Sequence, residues 1–328
     1  MTIRDTAGLR HHAREMLDNT PSQRAIALIY TAVAVGLSLG LTLADEVLAR
    51  MISGTGGLGN LGTRTILSTL QSMLPILQSL VLLGWNAGYY LTVLKIARGE
   101  DADTGTLKAG FSLFFPMLRS MLLEAAIYFG LCMVSFYLSL QIYMLTPWAL
   151  ELVEVMEPML PSIIGSAVPV IDEAAMLPAM KAMAPMLVIF CLIYGLLAIP
   201  MSYRLRMSLY CLVDAPKAGA MRAMATSRRI MRRNCFQLFK LDRSFWWYHS
   251  LTALATLIQM LPMTGLLPMD FDTGFYLCYA VYLVLVSVLY VFFRNRVEVA
   301  CAAAYETLRE KPQEPGQTQV VLGNIFDM

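Results

Sequence analysis

AIALIYTAVAVGLSLGLTLA, residues Ala25–Ala44, carries no charge over twenty residues and as a helix would be about 30 Å long, the thickness of a bilayer's hydrocarbon core. A backbone inside hydrocarbon must satisfy its own hydrogen bonds, which leaves only helices and closed barrels. The run does not alternate apolar and polar residues and is about twice as long as a barrel strand, so it reads as a transmembrane helix. Comparable runs follow at Met73–Val93, Met121–Met144, Met186–Tyr203, Phe245–Leu261 and Gly274–Phe293. The expected fold is all-α: a polytopic membrane helix bundle of about six transmembrane helices. The fifth run starts with Trp246, Trp247, Tyr248 and His249, a cluster suited to the aromatic belt at headgroup level. Composition agrees, with 57% hydrophobic residues, 15% charged residues and a mean hydropathy of +0.59, where soluble domains carry about 25% charge. One membrane domain over 25–310 is the simplest count.

Residues 1–24 place Leu9, Ala13 and Leu17 on one helical face among mixed charges. They are expected to form a cytoplasmic amphipathic helix. The competing reading, a signal peptide, is set aside because its apolar core is normally shorter and its leading segment more purely basic.

Orientation follows from the 25 lysines and arginines, of which all but Arg50, Arg64 and Lys181 fall on one side of the six runs. The other side gathers acids: Asp45, Glu46, Glu151, Glu154, Glu157, Asp172, Glu173, Asp270 and Asp272. The positive-inside rule then puts both termini and the basic connections in the cytoplasm.

The densest basic segment lies between the fourth and fifth runs. Asp214 as cap and Pro216 in the first turn would start an amphipathic helix over 214–235. Met221, Met224, Met231 and Cys235 recur on one side of it, and Arg222, Arg229, Arg232 and Arg233, with Arg228, make the basic side. These five arginines are the candidate lipid- or partner-binding residues. Each contributes on the order of 1 kcal/mol near an anionic leaflet, enough to hold anionic headgroups at the cytoplasmic face or to dock a membrane protein partner. The plainer reading is a loop that only fixes topology. No recognition motif accompanies the charge, so nucleic acid is not expected.

Inside the bilayer, Gly36–Gly40 and Gly84–Gly88 have the spacing that lets helix backbones approach, and would pack the first two helices together. The alternative is the general frequency of glycine in membrane helices. Gln78 and Asn86 are candidates for interhelical hydrogen bonds. Glu124 is an acid within a run, about one turn from its cytoplasmic end, and is expected to form an ion pair with Arg119, Arg204 or Arg206 rather than a proton relay. Residues 145–185 carry prolines at 147, 158, 161, 169, 178 and 185, which should break them into short helices or turns forming an outer cap. Met176, Met180, Met183 and Met186 share a face there, more suited to packing than to copper, since methionine is abundant throughout. Residues 311–328 read as a flexible cytoplasmic tail.

The six cysteines are scattered singly, without metal spacing or a disulfide framework. His11, His12 and His249 have no evident carboxylate or cysteine partner, and there is no HExxH, GxSxG, Walker or dinucleotide motif. Neither a catalytic site, a metal nor a cofactor is expected.

Two stretches carry a resemblance: Gly84–Phe111 (GWNAGYYLTVLKIARGEDADTGTLKAGF) and Ala223–Trp247 (AMATSRRIMRRNCFQLFKLDRSFWW). With Ala13–Leu17 and Ala304–Leu308, they resemble the bacterial six-helix membrane family called domain of unknown function 975, akin to the membrane domain of glycerophosphodiester phosphodiesterases. Met231-Arg232-Arg233-Asn234 departs from the glycine-containing turn common in that family. The resemblance implies the fold and a bacterial plasma membrane location, and no activity. The expected function is an accessory or scaffold whose basic cytoplasmic face binds anionic lipid or a protein partner, with a small-molecule or lipid transporter or channel as the alternative.

Overall fold

A computed structural model of the chain describes residues 5–54, 61–156, 173–264 and 271–309. No strand occurs among the described residues. The helices are α1 Thr6–Asp18, α2 Gln23–Gly54, α3 Leu61–Ala97, α4 Thr104–Ala109, α5 Phe114–Met144, α6 Trp148–Met156, α7 Glu173–Leu205, α8 Ser208–Asp214, α9 Ala220–Met231, α10 Cys235–Ser244, α11 Trp246–Met260, α12 Phe271–Leu289 and α13 Asn295–Arg309.

Among the described residues, five stretches are long and apolar enough to cross a membrane: Gln23–Gly54, Gly62–Ala97, Thr104–Met144, Lys181–Asp214 and Thr273–Arg309. The expectation of six therefore needs correcting at Phe245–Leu261. There α11 has 15 residues, about 22 Å of helix against a core of about 30 Å. It begins only after Phe245 and gives way to a 3₁₀ turn, Leu261–Thr264, that contains Pro262.

The chain divides into two compact units, Met1–Phe115 with Val213–Pro216 and Phe236–Met328, and Pro116–Leu212 with Lys217–Cys235. In the first, α2 lies along α3. Gln78 Nε2 donates to Ser38 Oγ at 2.8 Å and the Tyr30 hydroxyl donates to Asn86 Oδ1, so both expected amide side chains join these helices. Helix α1 is capped by Asp5, whose carboxylate accepts from Gly8 N at 2.8 Å. Its Leu9, Ala13 and Leu17 are buried, and it packs on α13. Helix α13 is covered almost all round, burying Val297, Val299, Cys301, Tyr305 and Leu308. Its alanines at 300, 302, 303 and 304 are small enough to admit both α1 and α3 at close range.

A π-helical turn, Tyr290–Arg294, joins α12 to α13 without a break. Such a turn holds one residue more than an α-turn, which rotates the face presented afterwards by on the order of 100°. Helix α12 thus exposes Leu277, Val281, Val284 and Val288, while α13 turns a different set of residues inward.

In the second unit α6 and α9 each pack on α7. The Tyr143 hydroxyl, fully buried, lies 2.9 Å from the carbonyls of both Trp148 and Ala182 and ties the start of α6 and the early part of α7 to the end of α5. The expectation that prolines break 145–185 into short helices or turns holds for one end of the described part and not the other. Trp148–Met156 is a short helix, but α7 runs unbroken through Pro178 and Pro185 into the apolar segment. Proline is tolerated inside such helices because neighbouring groups re-satisfy the freed backbone. Residues 157–172, the core of the expected cap, and the expected tail at 311–328 lie outside the described residues, as do the methionine side chains at 176 and 180.

Candidate functional site

Helix α9, in the second unit, starts later than its sequence suggests. Asp214 ends α8 instead of capping it, a 3₁₀ turn follows at Pro216–Ala218, and Gly219 with φ of 80° sets up the first residue, Ala220. That left-handed conformation is one that glycine adopts at little cost. Ala220, Ala223, Met224, Ser227 and Met231 form the buried face, spaced by three and four. The Ser227 hydroxyl donates to the Arg204 carbonyl at 2.8 Å and fastens this face to the end of α7.

Arg222, Arg228, Arg229, Arg232 and Arg233 are all exposed. Among the described residues none of them forms an ion pair. Met221 departs from the expected pattern: at 72% exposure it sits with the arginines and not with Met224 and Met231. The outward face is therefore basic with an apolar side chain beside it, as interfacial helices commonly are.

Glu124, also in the second unit, accepts a hydrogen bond from the Ser208 hydroxyl at 2.9 Å. The expected ion pair with Arg119 or Arg204 is not formed among the described residues; both arginine side chains are exposed. A serine hydroxyl from α8 reaches the carboxylate instead.

In the first unit the two glycine pairs behave differently. A methyl group on Gly88 would overlap the Leu107 carbonyl, and one on Gly110 would overlap the backbone of Gly88. The backbone of α3 thus rests directly on the segment Leu107–Gly110. A methyl on Gly84 would meet the Phe111 ring, 2.6 Å away, whereas Gly36 and Gly40 have nothing within 4 Å. The two helices lie together as expected, but not through these glycines: Gly84 and Gly88 seat α4 and the turn after it, and a methyl on Gly36 or Gly40 would meet nothing within 4 Å. Asp103 caps α4. The Thr106 hydroxyl at 2.8 Å and backbone N–H at 3.0 Å donate to its carboxylate and hold it below the usual carboxylate range.

Two clusters in this unit escape sequence reading. In one, the Arg294 guanidinium of the π-turn lies over three tyrosine rings, 4.5 Å from Tyr30, 4.4 Å from Tyr89 and 4.6 Å from Tyr290. The Tyr30 and Tyr89 rings are themselves 4.8 Å apart. The Tyr89 hydroxyl donates to Asn295 Oδ1 at 2.8 Å, and Asn295 Nδ2 donates to the Gln23 carbonyl at 3.2 Å. One cation thereby joins α2, α3 and the α12–α13 junction, each aromatic face contributing about 0.5–2 kcal/mol depending on desolvation.

In the other cluster, Arg98 Nη2 lies 2.6 Å from both Asp214 Oδ1 and Glu306 Oε1, and Arg309 Nη1 lies 2.9 Å from Asp214 Oδ2. The Tyr305 hydroxyl also donates to Asp214. Burial alone would lower the Arg98 pKa, but the hydrogen bonds to Asp214 and Glu306 outweigh it and hold the guanidinium above the ordinary arginine range. The residue read as a helix cap is the centre of a clasp between the end of α3 and α13. Its partners Arg98, Tyr305 and Arg309 all lie more than ninety positions away in sequence, so no local spacing announces it.

Chemically these groups bind and position. Among the described residues no three of His, Cys, Asp and Glu stand together as metal ligands, and all six cysteines are free thiols. What is presented outward is the arginine face of α9 and the broad apolar sides of the long helices. Set against known proteins, the chain matches no protein-family model, no curated protein and no solved structure.

Proposed function

We propose that the chain is an integral membrane protein of a bacterial plasma membrane, related to domain of unknown function 975, with both termini in the cytoplasm. It acts as an accessory or scaffold without a catalytic site of its own. Its basic cytoplasmic face binds anionic lipid or a protein partner. The membrane part of this reading is supported by the five long apolar helices and by side chains such as Leu187, Leu192, Leu196 and Phe129, which are more than half exposed on them. Soluble proteins rarely leave apolar surface of that extent uncovered. In the first unit Phe236 and Trp246 are each 65% exposed, with Lys240 placed 4.8 Å over the Phe236 ring, a combination that suits a headgroup layer.

The observation that carries the functional part is the exposed arginine set on and just after α9: Arg222, Arg228 and Arg229 on the helix and Arg232 and Arg233 in the turn that ends it, with the opposite face, Ala220, Ala223, Met224, Ser227 and Met231, buried in its own unit. At about 1 kcal/mol per residue near an anionic surface, the five supply roughly 5 kcal/mol of attraction. The test is crosslinking in native membranes, followed by isolation of the full chain beside a variant with Arg229, Arg232 and Arg233 changed to Gln. A stoichiometric protein, or an enrichment of anionic lipid, that is lost in the variant supports the reading. Identical material from both forms overturns it.

A second reading, transport, rests on Glu124, a carboxylate within a spanning segment whose described partner is a hydroxyl. It requires that Glu124→Gln abolish flux of some solute through the reconstituted protein while Arg229→Gln leaves that flux unchanged.

A further inference from the structure

Helices α2 and α12 belong to the same unit, and α2 touches both α12 and the π-turn that follows it. Between them opens a groove of about 520 Å³, walled by Val35, Leu39 and Leu43 on one side and by Ala280, Leu283 and Val284 on the other. The volume falls within the range of ligand-sized clefts. Tyr276 and Val288 bound the groove along α12, so it runs about 18 Å, close to half the roughly 30 Å hydrocarbon core.

Its few polar atoms are already engaged. Thr42 Oγ1 donates to the Ser38 carbonyl at 2.9 Å and lies 3.1 Å from the Tyr279 hydroxyl, while the Ser287 hydroxyl donates to the Leu283 carbonyl at 2.6 Å. The walls thus offer hydrocarbon and ask for none but hydrocarbon in return. At one end this changes. Glu46 accepts from the Tyr276 hydroxyl at 2.6 Å and from Arg50 Nε at 2.8 Å, and Arg50 is 78% exposed. The apolar run ends at Ala44 and is followed by Asp45 and Glu46, so these charges stand where that run leaves hydrocarbon.

We propose that this groove is a binding site for one membrane phospholipid with a zwitterionic, amine-bearing headgroup, drawn from the leaflet on the Glu46 side. One acyl chain lies between α2 and α12, the phosphate faces the Arg50 guanidinium and the ammonium faces the Glu46 carboxylate. A mouth with one cation and one anion about 3 Å apart complements a headgroup with the same two charges and discriminates against a purely anionic one. The inference rests on the membrane-spanning reading of α2 and α12 and is independent of the arginine face of α9.

The test uses the full chain in lipid nanodiscs containing a phosphatidylethanolamine that carries a photoreactive diazirine in one acyl chain. Crosslinks are mapped by peptide mass spectrometry. Labelling is expected to concentrate on residues 35–43 and 276–288, several-fold above that of Leu192 and Leu196 on α7, which report general exposure to lipid. Ala280→Trp, filling the groove, should remove the excess while leaving α7 labelled. Glu46→Gln with Arg50→Gln should cut the preference for this lipid over one with the same chains and a glycerol headgroup by about fivefold. Even labelling of α2, α12 and α7 overturns the site. Protection of the groove together with α2–α2 crosslinks between copies overturns it in favour of a second copy of the chain. No labelling on α7 either would instead refute the membrane reading on which the site depends.

Discussion

Gly36–Gly40 and Gly84–Gly88 have the same spacing and sit in neighbouring helices, yet one pair stands open and the other bears backbone against backbone. The difference follows from what each faces. Gly88 looks toward the Leu107–Gly110 segment, tied by the Asp103 cap and lying in the same unit as the well-covered α13. Gly36 and Gly40 lie on the part of α2 beside the groove with α12. The first unit thus has a closed end, built from small residues, caps, ion pairs and a caged arginine, and an open end where long helices show their apolar sides outward. A small-residue spacing alone does not say which of the two it serves.

The contrast is strongest at the glycines of the closed end. Gly88→Ala or Gly110→Ala puts a methyl group into a backbone that has no room to yield. Each should cost about 3 kcal/mol or more, read as a large drop in the thermal midpoint of the full chain in detergent. Next comes the cage. Arg294→Gln removes a cation from three tyrosine faces and should cost about 2 kcal/mol, with Arg294→Lys recovering part of the loss in the same melt. Arg98→Gln, at a clasp that is partly open to water, should cost only about 1 kcal/mol, and the difference from wild type should shrink at high salt.

The sign for pH follows from Arg98 itself. Its folded pKa is raised, so its contribution is fully present below the unfolded arginine value and is lost only as pH rises through the folded one. Both lie far above neutrality, so Arg98 should add no pH dependence between about pH 5 and pH 9. The smallest effect belongs to the open end: Gly36→Ala and Gly40→Ala should stay within about 0.5 kcal/mol of wild type. A loss comparable to that at Gly88 would mean that the open face of α2 is covered in the purified protein.

What could be read from sequence was whatever repeats within one helix. The uncharged run at Ala25–Ala44 announced α2. The spacing of Leu9, Ala13 and Leu17 announced the buried face of α1, and the polar side chains of Gln78 and Asn86 announced the hydrogen bonds between α2 and α3. Features assembled from distant positions were hidden. The Arg294 cage needs residues from three helices, at 30, 89 and 290, and a π-turn that has no spacing signature. Asp214 had the composition of a cap, but its charge found Arg98 and Arg309 instead. Pro178 and Pro185 suggested a break because proline is costly in water-exposed helices. Helix α7 carries them without one, so local propensity misled there. The exposure of the arginines on and just after α9 was legible, while Met221 falls beside Arg228 because the buried face centres on Ala220, Met224, Ser227 and Met231.

The proposed topology has the long apolar helices crossing a membrane, with Arg50 and Arg229 exposed on opposite sides of it. The most direct measurement is labelling of single cysteines by a membrane-impermeant maleimide in intact cells, with the six native cysteines replaced. Arg50→Cys should label in intact cells, and Arg229→Cys only after the membrane is made permeable. Equal labelling of both positions in intact cells, or release of the chain from membranes by alkaline carbonate, would contradict the account.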